Sequence, residues 1–581
     1  MTSAADIARR GGGWVLERPE SIFTPEDFDD VTRDLANVTR QFAERDVLPK
    51  LDRMEHGELE LNVPLMQRAG ELGPLAVEIP EAYGGLDLPK VIAALVTEEM
   101  AVTGGFAVTM TAHTSIGTLP LVYFGTEEQK QKYLPRLATG EWIAAYALTE
   151  TNSGSDALGA RTRATLSNDG SHYVLNGTKQ FISNSGFANL FTVFAKVDGD
   201  KFTAFLVERD FPGVEFGEEE HKMGIKSSST RQLVLRNAEV PVDNVLGEIG
   251  KGHRIAFNVL NIGRFKLGAS SVGAAKRALS QSAIYAQDRA QFGQPIATFG
   301  MIQQKLARMA MRLFAAESAV YRTVGLIDEA IGGNSDVAIA LEAIQEYLIE
   351  CSIVKVHGTE MLDFVVDEGV QIHGGYGYLA DFPIERAYRD SRIQRIFEGT
   401  NEINRLLIPD MLLRRAMKGE LPLFEAAQRL RGELLEPRFD QPEGPWAVEL
   451  EQSANLKRLG LMIAGLAVER FGTGLVREQE VVAAIADILI EAFATESAVL
   501  RAQRIDRSES TAMTHLYLGY ALARALRAAE YALPRVADGD DLRTYASVVR
   551  RLARRDASDL IQLERSVAEQ VLKSNGYPNF G

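Results

Sequence analysis

The chain has 581 residues, with 63 Lys and Arg against 79 Asp and Glu, for a formal net charge of −16. That acidic balance argues against nucleic acid as a partner, because phosphate binding needs a basic face. The single cysteine, Cys351, excludes an intrachain disulfide and any cysteine-rich metal site, and the length suggests roughly three to five domain-sized units.

The N-terminus lacks the apolar stretch of a signal peptide. No run of about 18 apolar residues is visible: residues 461–468 stop at Glu469, and residues 481–493 are broken by Asp487 and Glu491. The expected location is therefore inside the cell, cytoplasmic in a bacterium or the mitochondrial matrix in a eukaryote. Cys351 lies in an apolar, helical-looking stretch and reads as a buried core thiol.

Residues 25–142 read as a helical domain. Thr126, with Gln129 three residues on, has the form of a capping box that opens a helix, and Pro80-Glu-Ala-Tyr-Gly-Gly85 reads as a turn. Residues 143–250 change to the strand period. Asn176-Gly177 between two apolar runs predicts a β-hairpin over residues 173–183. Further short strands are expected at 190–197, 202–207 and 232–235, giving a compact, mostly antiparallel β domain.

Residues 251–415 return to the helix period in long segments, 267–290, 302–325 and 335–368, which with one further helix can form a four-helix bundle. Pro422, Pro437, Pro442 and Pro445 punctuate residues 416–446, read as a linker. Residues 447–581 are helical again. The expected fold is thus mainly α with a central β domain and an extra C-terminal helical domain.

The familiar cofactor signatures are missing. His373-Gly-Gly-Tyr-Gly377 is glycine-rich but follows a helical segment, so it fails the context of a dinucleotide-binding turn. No metal-ligand spacing occurs; His56 with Glu58 reads as a polar turn, and His113 and His373 as hydrogen-bonded structural residues. Two segments stand out. In Tyr146-Ala-Leu-Thr-Glu-Thr-Asn-Ser-Gly-Ser-Asp156 an apolar strand breaks into small hydroxyl and glycine residues, which expose N–H groups and short hydroxyls. In Arg395-Ile-Phe-Glu-Gly-Thr-Asn-Glu-Ile403, Glu398 follows two apolar residues, and such surroundings raise a carboxyl pKa toward that of a general base.

These two segments occur in order with Lys179-Gln-Phe-Ile-Ser-Asn184, Arg289-Ala-Gln-Phe-Gly293 and Gln371-Ile-His-Gly-Gly375. Together they resemble the acyl-CoA dehydrogenases over residues 25–415. The unit after 447, with Ala112-His-Thr-Ser-Ile-Gly117 and Lys222-Met-Gly-Ile-Lys226, is similar to the very-long-chain branch. The resemblance implies FAD as cofactor and oxidation of the α,β bond of a fatty acyl thioester. It makes Glu398 the base for the α-proton, with the base's own backbone N–H in the oxyanion hole and flavin N5 taking the β-hydride. Gly263 stands where a few relatives place their base, and glycine cannot serve.

By the same resemblance, Tyr146, Leu148 and Thr149 lie along the flavin edge, Ser155 near the pyrophosphate and the CoA arm, and Phe181 and Ser183 against the ring. The family more often has Trp and Thr at the last two positions. Arg289, Phe292, Gln371 and Gly375 match residues that reach the adenine half of FAD from a neighbouring subunit, which implies an oligomer, here a homodimer. Thr400 and Glu402 match contacts to the middle of the dinucleotide. Arg264 matches an arginine near the active-site loop, with a structural and a substrate role both open. Phe397 and Gly117 match the mouth and depth of an acyl tunnel, for which chains of roughly C12 or longer are expected since each buried methylene adds about 0.8 kcal/mol.

The implied partners are long-chain acyl-CoA and an electron-transfer flavoprotein. Arg550, Arg551, Arg554 and Arg555 form a basic helical cluster, read as a solvated face or a weak peripheral membrane contact. The alternatives are an acyl-CoA oxidase that reduces oxygen, and a superfamily member without turnover, either nucleic-acid-binding or an assembly factor.

Overall fold

The computed structural model describes residues 3–435, 443–555 and 559–580. The N-terminal helices include Asp30–Phe42, Asn62–Leu72, Lys90–Met100, Gly105–Ala112 and Glu127–Ala138. The Thr126 capping box forms as expected: the Gln129 N–H donates to Thr126 Oγ1 (3.3 Å) and the Thr126 N–H to Gln129 Oε1 (3.1 Å). Gln129 does more. Its Nε2 donates to the carbonyls of Asp243 (2.7 Å) and Val245 (2.8 Å), fastening the helix start to the sheet.

The sheet comprises β1 Ala144–Ala147, β2 Arg163–Leu166, β3 His172–Ser183, β4 Leu190–Val197, β5 Lys201–Glu208, β6 Val214–Phe216, β7 Thr230–Pro241 and β8 Val245–Leu246. Their order is β6-β7-β3-β2-β4-β5-β8, with β1 beside β4. Pairing is mostly antiparallel; β1 and β2 run parallel to β4.

The expected hairpin at Asn176-Gly177 does not form. β3 continues through it, paired with β7 on both sides, and only the register shifts between Leu175 and Gly177. Gly177 serves close packing: a Cβ there would lie 2.3 Å from Thr162 Oγ1 on the path into β2. The Asn176 side chain bonds across to Asn237 (3.1 Å), which holds β3 to β7 where a turn would have ended the strand.

The helical bundle is built from Gly252–Asp288, Gly300–Ile331, Leu348–His373 and Asn401–Met417. The single helix expected over 335–368 is two, Val337–Glu346 and Leu348–His373, broken at Tyr347. The break has a cause in the N-terminal segment. Tyr347 Oη donates to the Arg9 carbonyl (2.6 Å), while the Glu346 and Glu350 carboxylates accept the N–H groups of Gly11 (2.8 Å) and Gly12 (2.6 Å).

The appended unit holds Ala447–Phe471, Gln479–Ile505, Ser508–Val536, Gly539–Leu552 and Leu560–Lys573. The linker reading of 416–446 needs correction: Leu423–Leu435 is a helix. Its amphipathic spacing buries Leu423, Leu430 and Leu434, and Ala427 packs beside Gly465 of Ala447–Phe471. Pro422 stands just before this helix and Pro445 just before Ala447–Phe471; Pro437 and Pro442 lie outside the described residues.

The stretch Ala447–Arg477 meets, by length and composition, the test for a membrane-crossing helix. In the fold, Leu456, Leu459, Ile463 and Ala467 are buried. Arg551 Nη2 donates to the Leu434 carbonyl, so one member of the basic cluster caps a helix end; Arg550, Arg554 and Arg555 are exposed.

Candidate active site

Glu398 sits in the short loop between the helical turn at Arg392–Arg395 and the Asn401–Met417 helix. Thr400 caps that helix, its Oγ1 accepting the Ile403 N–H (3.3 Å). Glu398 has φ = 57° and Gly399 φ = 78°. A left-handed Glu costs about 1–2 kcal/mol, so neighbours must hold it. They do: Arg264 Nε donates to the Glu398 carbonyl (3.3 Å), and Lys355 Nζ and Asn404 Nδ2 donate to the Gly399 carbonyl (2.8 and 2.9 Å).

The loop holds its carbonyls and leaves the carboxylate and one N–H free. Glu398 Oε2 is buried without a hydrogen-bond partner, and the Glu398 N–H donates to no described residue. Burial pushes the carboxyl up to about 7, against the pull of the Arg264 and Lys355 cations. Burial likewise brings the Lys355 ammonium down to about 7.

Gly263 explains how the carboxylate fits. A Cβ there would lie 2.6 Å from Glu398 Oε2, so glycine lets the Gly252–Asp288 helix pass directly under the acid. Glu398, Phe397, Gly263 and Ser183 line one end of a cavity of about 350 Å³. It continues between that helix and Gly105–Ala112, past Leu267, Ala112, Val108 and Ala107.

Of the expected ring-edge residues Ser183 lines this cavity, while Tyr146, Leu148, Thr149 and Phe181 lie on or just beyond β1 and on β3, outside its lining. Tyr146 and Leu148, on and just after β1, are buried, and Tyr146 Oη has no partner. Thr149 is half-buried and accepts the Gln180 N–H at its carbonyl (2.8 Å). Phe181 is 61% exposed at φ = 59°, an apolar ring presented outward from a bulge in β3. Ser155 is exposed on the loop after β1. Beneath them lies a pair the motifs did not single out. Lys179 Nζ donates to Glu150 Oε1 (2.7 Å), and Glu150 also accepts the Arg161 N–H (2.6 Å) and the Thr162 hydroxyl (2.6 Å). This buried pair ties β3 to the loop after β1; a lysine within an apolar strand was its signal.

Other residues fall elsewhere. Arg289, Phe292, Gln371 and Gly375 form an exposed group, with Arg289 5.6 Å from the Tyr376 ring centre. None of them lines the cavity of Glu398. Glu402 is exposed on the first turn after Thr400. Arg264 is buried, its Nη1 on Asn261 Oδ1 (2.9 Å), and holds the loop without lining the cavity. Gly117 also misses the wall. A Cβ there would meet the Ala144 Cβ at 2.9 Å, so Gly117 packs on β1 while Ser115 and Ile116 face the cavity. His113 is structural, accepting the Ala144 N–H at Nδ1 (3.0 Å) with Nε2 3.0 Å from the Leu137 carbonyl. His373 Nδ1 bonds the Gly369 carbonyl (2.7 Å). Cys351 is a buried thiol.

Comparison with known proteins fits this arrangement. Models of the acyl-CoA dehydrogenase N-terminal, middle and C-terminal domains match residues 29–141, 145–238 and 250–413, and a further model described as an acyl-CoA dehydrogenase C-terminal domain matches 455–551. A probable acyl-CoA dehydrogenase of Bacillus subtilis (strain 168) is 50% identical over 592 aligned residues, covering 99% of each chain. The chain belongs to the acyl-CoA dehydrogenase family. The Homo sapiens mitochondrial very long-chain specific acyl-CoA dehydrogenase is 36% identical over 504 residues, 80% of this chain and 73% of that one. A crystal structure of an acyl-CoA dehydrogenase complexed with FAD from Bacillus anthracis superposes with a TM-score of 0.95 at 50% identity, covering 98% of this chain and 100% of that one. The family consists of FAD-dependent oxidoreductases that act on the CH–CH group of acyl-CoA, and this chain is an enzyme of that class.

Proposed function

We propose that the chain oxidises long-chain acyl-CoA to the trans-2-enoyl-CoA, with Glu398 as the base. One observation carries the reading: a carboxylate with a bare, buried oxygen lies in the wall of a largely apolar cavity that Ser183 also lines. The residues around Phe181 fit FAD, since an exposed aromatic face, the Thr149 and Ser183 hydroxyls and the small-residue loop up to Ser155 offer a planar heteroaromatic group both stacking and polar edges. When bound, FAD supplies the acceptor for the β-hydride.

The chain's own groups do the rest. Glu398 Oε2 takes the α-proton. The free Glu398 N–H is placed to polarise the thioester carbonyl as charge develops. Arg264 and Lys355 hold the loop, so the base is oriented before substrate arrives. The apolar walls exclude water and bind the acyl chain at about 0.8 kcal/mol per methylene. Arg289, Phe292, Gln371 and Gly375 serve the cofactor of a second copy in a homodimer, with Thr400 and Glu402 nearer its middle. An electron-transfer flavoprotein accepts the electrons.

Anaerobic bleaching of the yellow, FAD-loaded protein by hexadecanoyl-CoA tests the reading. Glu398→Gln is expected to slow bleaching roughly 10³-fold while the colour is retained; rapid bleaching of this variant would overturn the role of Glu398. A kcat/KM favouring octanoyl- over hexadecanoyl-CoA would overturn the long-chain assignment.

A further inference from the structure

We infer that the far end of the acyl cavity is a polar exit that accepts an anionic ω group, making long-chain ω-carboxyacyl-CoAs substrates alongside simple long-chain acyl-CoAs. The inference rests on the acyl reading of the cavity and extends it.

Gly263, Leu267, Ser270, Ala274, Arg277 and Gln281 all line the cavity. They recur at steps of three and four along the Gly252–Asp288 helix, so they form one stripe. Near Gly263 the stripe faces small and apolar residues of Gly105–Ala112. Beyond Ala274 its character changes. Arg277 and Gln281 are met there by Asp52 and Arg386, which come from other elements of the same wall.

The charges at this exit do not cancel. Arg386 Nη2 donates to Asp52 Oδ1 (2.6 Å), so those two satisfy each other. Arg277 is exposed and makes no hydrogen bond or ion pair with a described residue. The remaining wall acid away from the base, Asp390, is buried beside Gly104 and accepts the Ile225 N–H (2.5 Å). One uncompensated guanidinium therefore stands where the cavity meets solvent.

Length decides what can reach it. At about 1.5 Å per residue, Arg277 lies roughly 21 Å along the helix from Gly263. An extended chain of roughly sixteen carbons covers that span. By the same measure a ten-carbon chain ends about 13 Å along, between Ser270 and Ala274, its carboxylate short of Arg277 and out of water with one wall hydroxyl at most to meet it, which is costly. The carboxylate of a chain near C16 emerges beside Arg277, hydrated and paired. The ω charge should thus be penalised at short length and tolerated at long length.

The test compares decanoyl- and hexadecanoyl-CoA with their ω-carboxyl counterparts, using the FAD-loaded full chain. The ω-carboxylate is expected to lower kcat/KM roughly 100-fold or more at C10 and less than about fivefold at C16. Arg277→Leu should deepen the C16 penalty about tenfold relative to hexadecanoyl-CoA in the same variant, and Arg277→Lys should restore the original ratio. Equal penalties at both lengths, or a C16 ratio unmoved by Arg277→Leu, would overturn the inference while leaving the long-chain reading intact. Failure to oxidise hexadecanoyl-CoA at all would overturn the reading beneath it, and the inference with it.

Discussion

At Glu398 two demands meet in one residue. As the proposed base, it must be charged to take a proton, yet it must sit in the dry pocket that makes it basic enough to do so. Burial raises the carboxyl to about 7, and Arg264 and Lys355 keep it from rising further. Below about 7 the folded protein carries Glu398 protonated and idle, and above it the carboxylate is ready. The kcat/KM for hexadecanoyl-CoA is therefore expected to climb tenfold per pH unit on the acid side and level off above about 7. A flat profile from pH 5 to 8 would contradict Glu398 as the titrating base. The left-handed backbone at Glu398 and Gly399 belongs to the same design, since it aims the side chain at the cavity while Arg264, Lys355 and Asn404 grip the carbonyls.

Between elements, glycine decides the closest approaches. The Gly252–Asp288 helix can run beneath the Glu398 carboxylate only because residue 263 lacks a side chain. Gly263→Ala would place a methyl 2.6 Å from Oε2, so the carboxylate must move. A displacement of about 1 Å in a reacting group costs roughly 10²-fold. Gly263→Ala is expected to lower kcat by that order with FAD content and fold unchanged, read by stopped-flow bleaching and absorbance of the bound cofactor. Turns show the converse lesson. Asn176-Gly177 has the strongest hairpin signature in the chain and makes no turn, because β7 pairs on both sides of it. The tight ribbon turn is instead at Phe292-Gly293, with φ of 53° and 79° between paired Gln291 and Gln294. Local propensity loses where long-range pairing offers more hydrogen bonds.

Across the whole molecule, the appended unit is locked to the body by buried charge. Arg322 pairs with Glu496 (3.0 Å), and Arg501 with Glu317 (2.5 Å) and with Glu26 of the N-terminal segment (2.8 Å). Trp14 meets Phe493 edge-on at 5.0 Å in the same seam. Removing one partner of a buried pair strands the other in low dielectric. Arg501→Met is expected to destabilise the protein by about 3 kcal/mol, seen as a lower urea midpoint, with little change in kcat for protein that remains folded. An unchanged midpoint would mean the seam does not carry the stability assigned to it.

Much was legible from residues alone. The helix–sheet–helix order, the Thr126 cap and the span of β4 follow from periodicity and capping chemistry, properties of nearby residues, while Glu398, an acid among apolar neighbours, is singled out as a base by the resemblance of its motif. What needed the folded chain were contacts between residues far apart in sequence. These include the helix at Leu423–Leu435, which exists because a partner helix covers its apolar side. They include the break at Tyr347, made where the N-terminal segment docks 338 residues away along the chain. They also include the placement of Gly117 against β1 instead of in the cavity wall. Local pattern sets which conformations are cheap, but only packing decides which groups meet, and catalysis depends on that meeting.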